Sequence, residues 1–165
     1  MKEIALTQSF RELRESGCVY VDKTEQIFRL LMPRRTFISR PRGFGKSLLL
    51  DTIATLLETG VEPYFRDTWI HDRWTEPKYP VLRLDFWKFS SFGYDEFVSR
   101  FNSELGAFAA ELGLDRYVPK ETPGSCLISF FRALDEIREK IAVIIDEYDA
   151  PLRANLNKPE LYEKF

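Results

Sequence analysis

Apolar residues recur along this chain at helical spacing, then as short unbroken runs, and the alternation repeats. Phe10 and Leu13 lie on one side of a short polar helix, and the stretch around Val19 to Val21 is briefly apolar. Ile27, Leu30 and Leu31 predict a helix from about Thr24 that Pro33 ends, with Asp22 and Glu25 spaced as a capping box. Thr36-Phe37-Ile38-Ser39 reads as a short strand. Leu49, Leu50, Ile53, Leu56 and Leu57 then predict a helix from Lys46 to about Glu58, stopped by Gly60. Residues 61–79 are aromatic and irregular, and Pro80 introduces a second strand over 81–86. Phe97, Phe101, Leu105, Phe108 and Leu112 form one stripe of a long helix over 94–112, and 113–124 reads as a loop. Another helix is predicted from about Cys126, with Leu127, Phe130, Leu134 and Ile137 facing one way. It feeds Ile141-Ala142-Val143-Ile144-Ile145, a run apolar enough to predict burial on both faces.

Strands alternating with helices predict an α/β domain, a mostly parallel sheet flanked by helices. The 165 residues suit one such domain spanning 1–165, and 44% hydrophobic with 30% charged residues excludes a disordered or fibrous chain. A net charge of −2 argues against a general nucleic-acid binder. Cys18 and Cys126 are too few for a disulfide framework or a four-cysteine zinc site, and His71 is the single histidine. No apolar run is long enough to span a membrane and the N-terminus does not read as a signal peptide, so a cytoplasmic protein is expected.

The strongest chemical signal is Arg40-Pro41-Arg42-Gly43-Phe44-Gly45-Lys46-Ser47, placed between a predicted strand and a predicted helix. A phosphate-binding loop needs that context, because inward-pointing backbone N–H groups and a helix N-terminus together cradle phosphate oxygens. Residues Arg42, Gly43, Phe44, Gly45, Lys46, Ser47 and Leu48 are the expected nucleotide contacts. Lys46 would reach the β- and γ-phosphates, and the Ser47 hydroxyl would ligate Mg²⁺. The general pattern has glycine where this chain has Arg40, and a chance GKS before a helix is the bland alternative. Between Gln26 and Leu50 stand Arg29, Arg34, Arg35, Arg40, Arg42 and Lys46 with no acidic residue, a concentrated positive field suited to a polyphosphate. A solvated basic face, or contact with nucleic-acid phosphates, would use the same residues.

The second signal is the apolar strand that ends in Asp146-Glu147. Parallel strands present their carboxyl ends at one edge, so Asp146 is expected to hold the Mg²⁺ shell and Glu147 to act as general base on water. Ordinary acidic residues closing a buried strand are the alternative. Asp149 and Arg153 lie just beyond and are equally readable as turn residue and surface charge; Asp85 closes the middle strand as a support for the site or as a simple cap.

The segments QSFRELRESGCVYVDKTEQIFRLL, FISRPRGFGKSLLLDT, PVLRLDFWKFS and AVIIDEYDAPL, in this order and spacing, resemble the bacterial AAA-ATPase-like family of predicted P-loop ATPases. The resemblance runs from Gln8 to about Asn157, and the family shares Arg-Pro-Arg ahead of Phe-Gly-Lys-Ser. It implies ATP and Mg²⁺ as ligands, Lys46 and Ser47 as phosphate and metal residues, and Asp146 and Glu147 as the Walker B pair. By the same analogy Tyr20-Val21-Asp22-Lys23-Thr24 lies near the nucleotide base. Family members often carry a PD-(D/E)xK-type nuclease domain after the ATPase domain, and no such constellation is visible here.

The resemblance also implies a strand after Walker B that inserts between the two Walker strands. The sequence ends at Phe165 without it, in a helix-like stretch from Pro159, so the chain is expected to be the N-terminal part of a longer protein, truncated after the Walker B strand. Either the Walker strands then pair directly, or unpaired ladder groups favour self-association. The readings that remain are an ATPase module, a nucleotide-binding or interaction module without turnover, a nucleic-acid-contacting fragment and, less well matched to the Asp-Glu pair, a small-molecule kinase. Adenine is preferred over guanine on the resemblance and on the lack of an Asn-Lys-x-Asp motif.

Overall fold

A computed structural model describes residues 7–164 except Arg34, Arg40, Arg42, Ser91, Phe92 and Asp115, and the side chain of Leu161. The chain divides into two compact units, 1–81 and 82–165.

The first unit is helical. Helix α1 (Phe10–Glu15) is capped by the Ser9 side chain, which accepts from the Glu12 amide, and it buries Phe10 and Leu13 against α3 (Lys46–Thr59). Between them, α2 (Thr24–Leu31) buries Ile27. Phe10 is the aromatic hub, with the Phe65 ring centroid 4.7 Å away and Tyr20 edge-on at 5.0 Å. Phe65 and Ile70, from the irregular 61–79 segment, are fully buried, and the Tyr79 amide donates to the Leu57 carbonyl at 2.8 Å. That segment is therefore a core-forming wrap around α3, held by side chains and turns.

Two expectations for this unit are corrected. Thr36–Ser39 forms no strand: Phe37 is exposed, and the Thr36 hydroxyl donates to the Leu30 carbonyl at 2.6 Å, turning the segment back onto the end of α2. The Asp22–Glu25 capping box does not form either. Lys23 occupies the N-cap without a side-chain bond, while Asp22 Oδ1 accepts from the Thr24 amide at 2.8 Å and Oδ2 from the Trp69 amide at 2.7 Å.

The second unit holds the sheet, which among the described residues is a parallel pair of β1 (Val81–Asp85) and β2 (Ala142–Asp146). A 3₁₀ turn at Phe86–Phe89 follows β1, then α4 (Tyr94–Glu111), α5 (Pro123–Ile137), and after β2 the short α6 (Ala150–Ala154) and α7 (Pro159–Tyr162). Leu82 and Leu84 of β1 pack with Phe101, Leu105 and Ala109 of α4 and Cys126, Phe130, Ala133 and Leu134 of α5. The α4 stripe lies where its spacing predicts. Helix α5 starts earlier than its apolar pattern shows, because Thr122 and Ser125 form a capping box ahead of Pro123 and Cys126.

The expected burial of the last strand on both faces is corrected. Val143 is 38% and Ile145 46% exposed, while Ala142 and Ile144 are half-buried. An unbroken apolar run does not say how many faces are covered. The strand that ends in Asp146 pairs with β1. No helix among the described residues is long and apolar enough to cross a membrane.

Candidate functional site

The glycine turn sits in the first unit and the acidic strand end in the second, and each is described by itself. Gly43 (φ 79°) and Gly45 (φ 68°) both take left-handed backbone, with Phe44 between them. A Cβ at either position would meet nothing within 4 Å, so backbone angle and not crowding is what calls for glycine there. Gly45 is the N-cap of the 14-residue α3, and Lys46, Ser47 and Leu48 form its first turn, all half-buried. Left-handed glycines leading into a helix turn successive N–H groups toward one side, the arrangement that accepts an anion. No acidic residue lies in that first turn. Phe44 projects 65% exposed from the turn. Arg40 and Arg42, the two arginines expected beside it, and Arg34 from the wider basic stretch, lie outside the described residues.

The turn is anchored from below. Asp51, on α3 just over one turn beyond Lys46, accepts the Phe10 amide at 2.6 Å through Oδ2. Thr52, buried beside it, donates to the Leu48 carbonyl at 2.7 Å. Tyr20, half-buried edge-on to Phe10, has its hydroxyl pKa pushed up to about 12, chiefly by burial.

The acidic end of β2 folds into a tight turn. Asp146 Oδ1 accepts the Glu147 amide at 2.9 Å, and Glu147 itself takes a left-handed φ of 48°, one of two non-glycine residues among those described to do so. Its carbonyl accepts the Ala150 amide at 2.8 Å, which starts α6. From α6, Arg153 returns to the same turn: Nη2 donates to Glu147 Oε2, and Nε stands 3.4 Å from Asp149 Oδ2. Glu147, Asp149 and Arg153 thus form one cluster. The Asp149–Arg153 pair has helical i,i+4 spacing and is readable from sequence. The Glu147–Arg153 contact spans six positions through a left-handed turn, and no periodicity announces it.

The supporting residues are placed as follows. Asp85 caps the 3₁₀ turn, accepting the Trp87 amide at 3.1 Å, which bears out the simpler reading of it. In Val21-Asp22-Lys23-Thr24, both Asp22 oxygens hold backbone amides, and buried Thr24 Oγ1 accepts the Ile70 amide at 3.1 Å, so these residues bind α2 to the 61–79 wrap. His71 has partners that its sequence position did not reveal: Nδ1 lies 2.8 Å from Asp72 and Nε2 3.2 Å from Glu62. Buried Cys126 donates its thiol to Asn102 Oδ1.

Ser47 in the first unit offers a hydroxyl and Asp146 in the second a carboxylate, each an oxygen donor of the kind a hard divalent cation takes. Among the described residues no group of three or more His, Cys, Asp or Glu could hold a metal ion.

Comparison with known proteins follows this geometry. A family model described as predicted AAA-ATPase matches residues 5–165. The chain is 38% identical over 167 residues to an uncharacterized protein in the vnfD 5′ region of Azotobacter chroococcum mcd 1, covering 93% of this chain. It spans 30% of the length of that relative. No solved structure matches.

Proposed function

The chain belongs to the predicted AAA-ATPase family, and from that premise we propose that it is the ATP-binding module of a P-loop ATPase, supporting Mg²⁺-dependent hydrolysis in the intact protein. The observation that carries this reading is the pair of left-handed glycines, Gly43 and Gly45, opening a long helix whose first residues are Lys46 and Ser47. Backbone amides of 43–48 would cradle the phosphates, with the Lys46 ammonium offsetting charge on the β- and γ-oxygens. Ser47 and Asp146 would hold Mg²⁺, which when bound polarises the γ-phosphoryl group. Glu147 would take the proton of the attacking water. The proposal requires both residue sets to act on one nucleotide.

A nucleotide binder without turnover is the second reading, favoured by the engagement of Glu147 by Arg153. For the whole protein, we propose a nuclease-type domain and the nucleic acid it would handle as partners, on the resemblance alone.

The test is Mg·ATP calorimetry on this chain and its Lys46→Ala variant, with phosphate release followed in parallel. Binding lost in Lys46→Ala, and turnover lost with binding kept in Glu147→Gln, are the expected results. Equal binding by wild type and Lys46→Ala would sink the P-loop assignment, and turnover surviving Glu147→Gln would sink the assigned base.

A further inference from the structure

The connection between α4 and α5 is tied down along its length. Ser129 of α5 holds Val118 through a single hydroxyl, which donates to the Val118 carbonyl at 3.0 Å and accepts the Val118 amide at 3.4 Å. Two residues on, Asn102 of α4 donates from Nδ2 to the Lys120 carbonyl at 2.8 Å and accepts the Lys120 amide at 3.4 Å. Tyr117 turns inward, its ring centroid 5.9 Å from that of Phe130. Loop backbone is ordinarily left to water, whereas here side chains of both helices grip it at two positions. The segment is a fixed wall.

Between this wall and α5 lies a groove of about 350 Å³. Arg116, Val118 and Lys120 line it from alternate positions of the wall, and Ile128 and Arg132 line it from α5, one turn apart on the face away from buried Phe130 and Leu134. Val118 is 52% and Ile128 56% exposed, so apolar surface from both sides stays open to water. Glu136 is the one acidic residue of the lining, and Arg116 takes it at 3.0 Å. Lys120 and Arg132 carry no side-chain hydrogen bond or ion pair among the described residues. In a chain of net charge −2 the groove is thus a local positive surplus around an apolar strip.

That combination selects the occupant. Nucleic acid would use the cations but not Val118 and Ile128, and the lining holds no aromatic side chain on which a base could stack. A peptide with carboxylates beside an apolar side chain uses both. Ile128 and Arg132 stand about 6 Å apart along the helix axis, close to the roughly 6.7 Å between alternate residues of an extended chain. We propose that this groove docks a short, extended acidic segment of a partner protein, its apolar side chain between Val118 and Ile128 and its carboxylates on Lys120 and Arg132. The docking does not depend on nucleotide binding.

The test is fluorescence anisotropy with short labelled peptides built only of Glu, Asp and Leu, the leucines moved through every position. Two matched sets replace the acids by Gln and Asn or the leucines by Ser, and a single-stranded oligothymidylate serves as the nucleic-acid probe. The best acidic peptide is expected to bind at least about 10-fold more tightly than its amide counterpart and about 3- to 10-fold more tightly than its serine counterpart. Lys120→Glu and Arg132→Glu should each weaken it by at least about 10-fold, and Ile128→Ser by about 3- to 10-fold. All three side chains are exposed, and a thermal melt matching wild type shows that each variant is folded. Acidic peptides bound no better than their amide counterparts overturn the proposal, as does wild-type affinity in folded Arg132→Glu and Lys120→Glu. Oligothymidylate bound more tightly than every peptide, and lost in the same two variants, overturns it in favour of a nucleic-acid contact.

Discussion

The backbone amide of Phe10 donates to the Asp51 carboxylate at 2.6 Å, joining the first residue of α1 to the middle of the helix that Lys46 opens. The bond crosses 41 positions. It does two things at once. A carboxylate at the start of α1 satisfies a donor that a helix N-terminus leaves open and answers the positive end of the helix dipole. It also fixes the rotation of α3, because Asp51 is locked to a helix whose Phe10 is fully buried. The orientation of the glycine turn is thereby set by a residue outside any nucleotide motif.

Asp51→Ala is expected to destabilise the first unit by about 1.5–3 kcal/mol, the range for a hydrogen bond to a charged group. Urea denaturation followed by tryptophan fluorescence measures it. Asp51→Asn keeps an acceptor of the same shape and should recover part of the loss. Equal losses in the two variants would mean that the charge, and not the acceptor, holds α1.

Gly45→Ala tests the turn itself. Space is open around the position, so the cost is conformational: a φ of 68° disfavours a residue with a Cβ by about 1–2 kcal/mol. The variant either retains the angle under strain or relaxes it and turns the 43–48 amides away. Mg·ATP affinity is therefore expected to fall by at least about 10-fold while the helical content stays intact. Undiminished affinity in the variant would show that the left-handed angle at Gly45 does not serve the phosphates.

His71 supplies a pH dependence whose sign is defined. Hydrogen bonding to Glu62, then to Asp72, raises its pKa above the ordinary 6.5; hydrogen bonding from Arg66, then from His71, lowers that of Glu62 below its ordinary 4.5. The His71 contribution to stability is full below its ordinary value and is lost as pH rises through the raised one. The Glu62 contribution is full above its ordinary value and is lost as pH falls through the lowered one. The stabilisation is therefore greatest between 4.5 and 6.5. Melting temperatures of wild type and His71→Gln, compared from about pH 4 to about pH 9, should differ most in that window and converge on the alkaline side. A difference that is flat across the range would discount the pair.

Much of this architecture is readable in the sequence. Helix α4 shows its buried face in Phe97, Phe101 and Leu105, and α3 shows its start in the glycines and its end in Gly60. Both signals are local, repeated every turn and reinforced by terminators. What escaped depends on partners distant in sequence. Whether 36–39 becomes a strand is decided by ladder pairing, and Thr36 instead finds the Leu30 carbonyl. The 61–79 wrap has no period, and its order comes from Asp22, Thr24 and the Phe10 cluster. At the site, residue types and spacing carry the expectation for Lys46, Ser47, Asp146 and Glu147, while the hold of Arg153 on Glu147 follows from a left-handed turn that no pattern encodes.

The exposed face of β2 gives the last prediction. Residues 143 and 145 share one face of the strand, and both are apolar and open. Ile145→Thr keeps a β-branched residue of good strand propensity and removes apolar surface that is 46% exposed. Its stability cost should stay within about 0.5 kcal/mol, as for surface substitutions generally. Leu84→Ala in β1 is the contrast: Leu84 is 2% exposed within the α4–α5 core, and the truncation should cost about 2–5 kcal/mol. Urea denaturation of both variants separates the two faces of the sheet. If Ile145→Thr instead cost as much as Leu84→Ala, the strand would be buried on both faces after all, and a covering layer would have to lie over Val143 and Ile145 in solution.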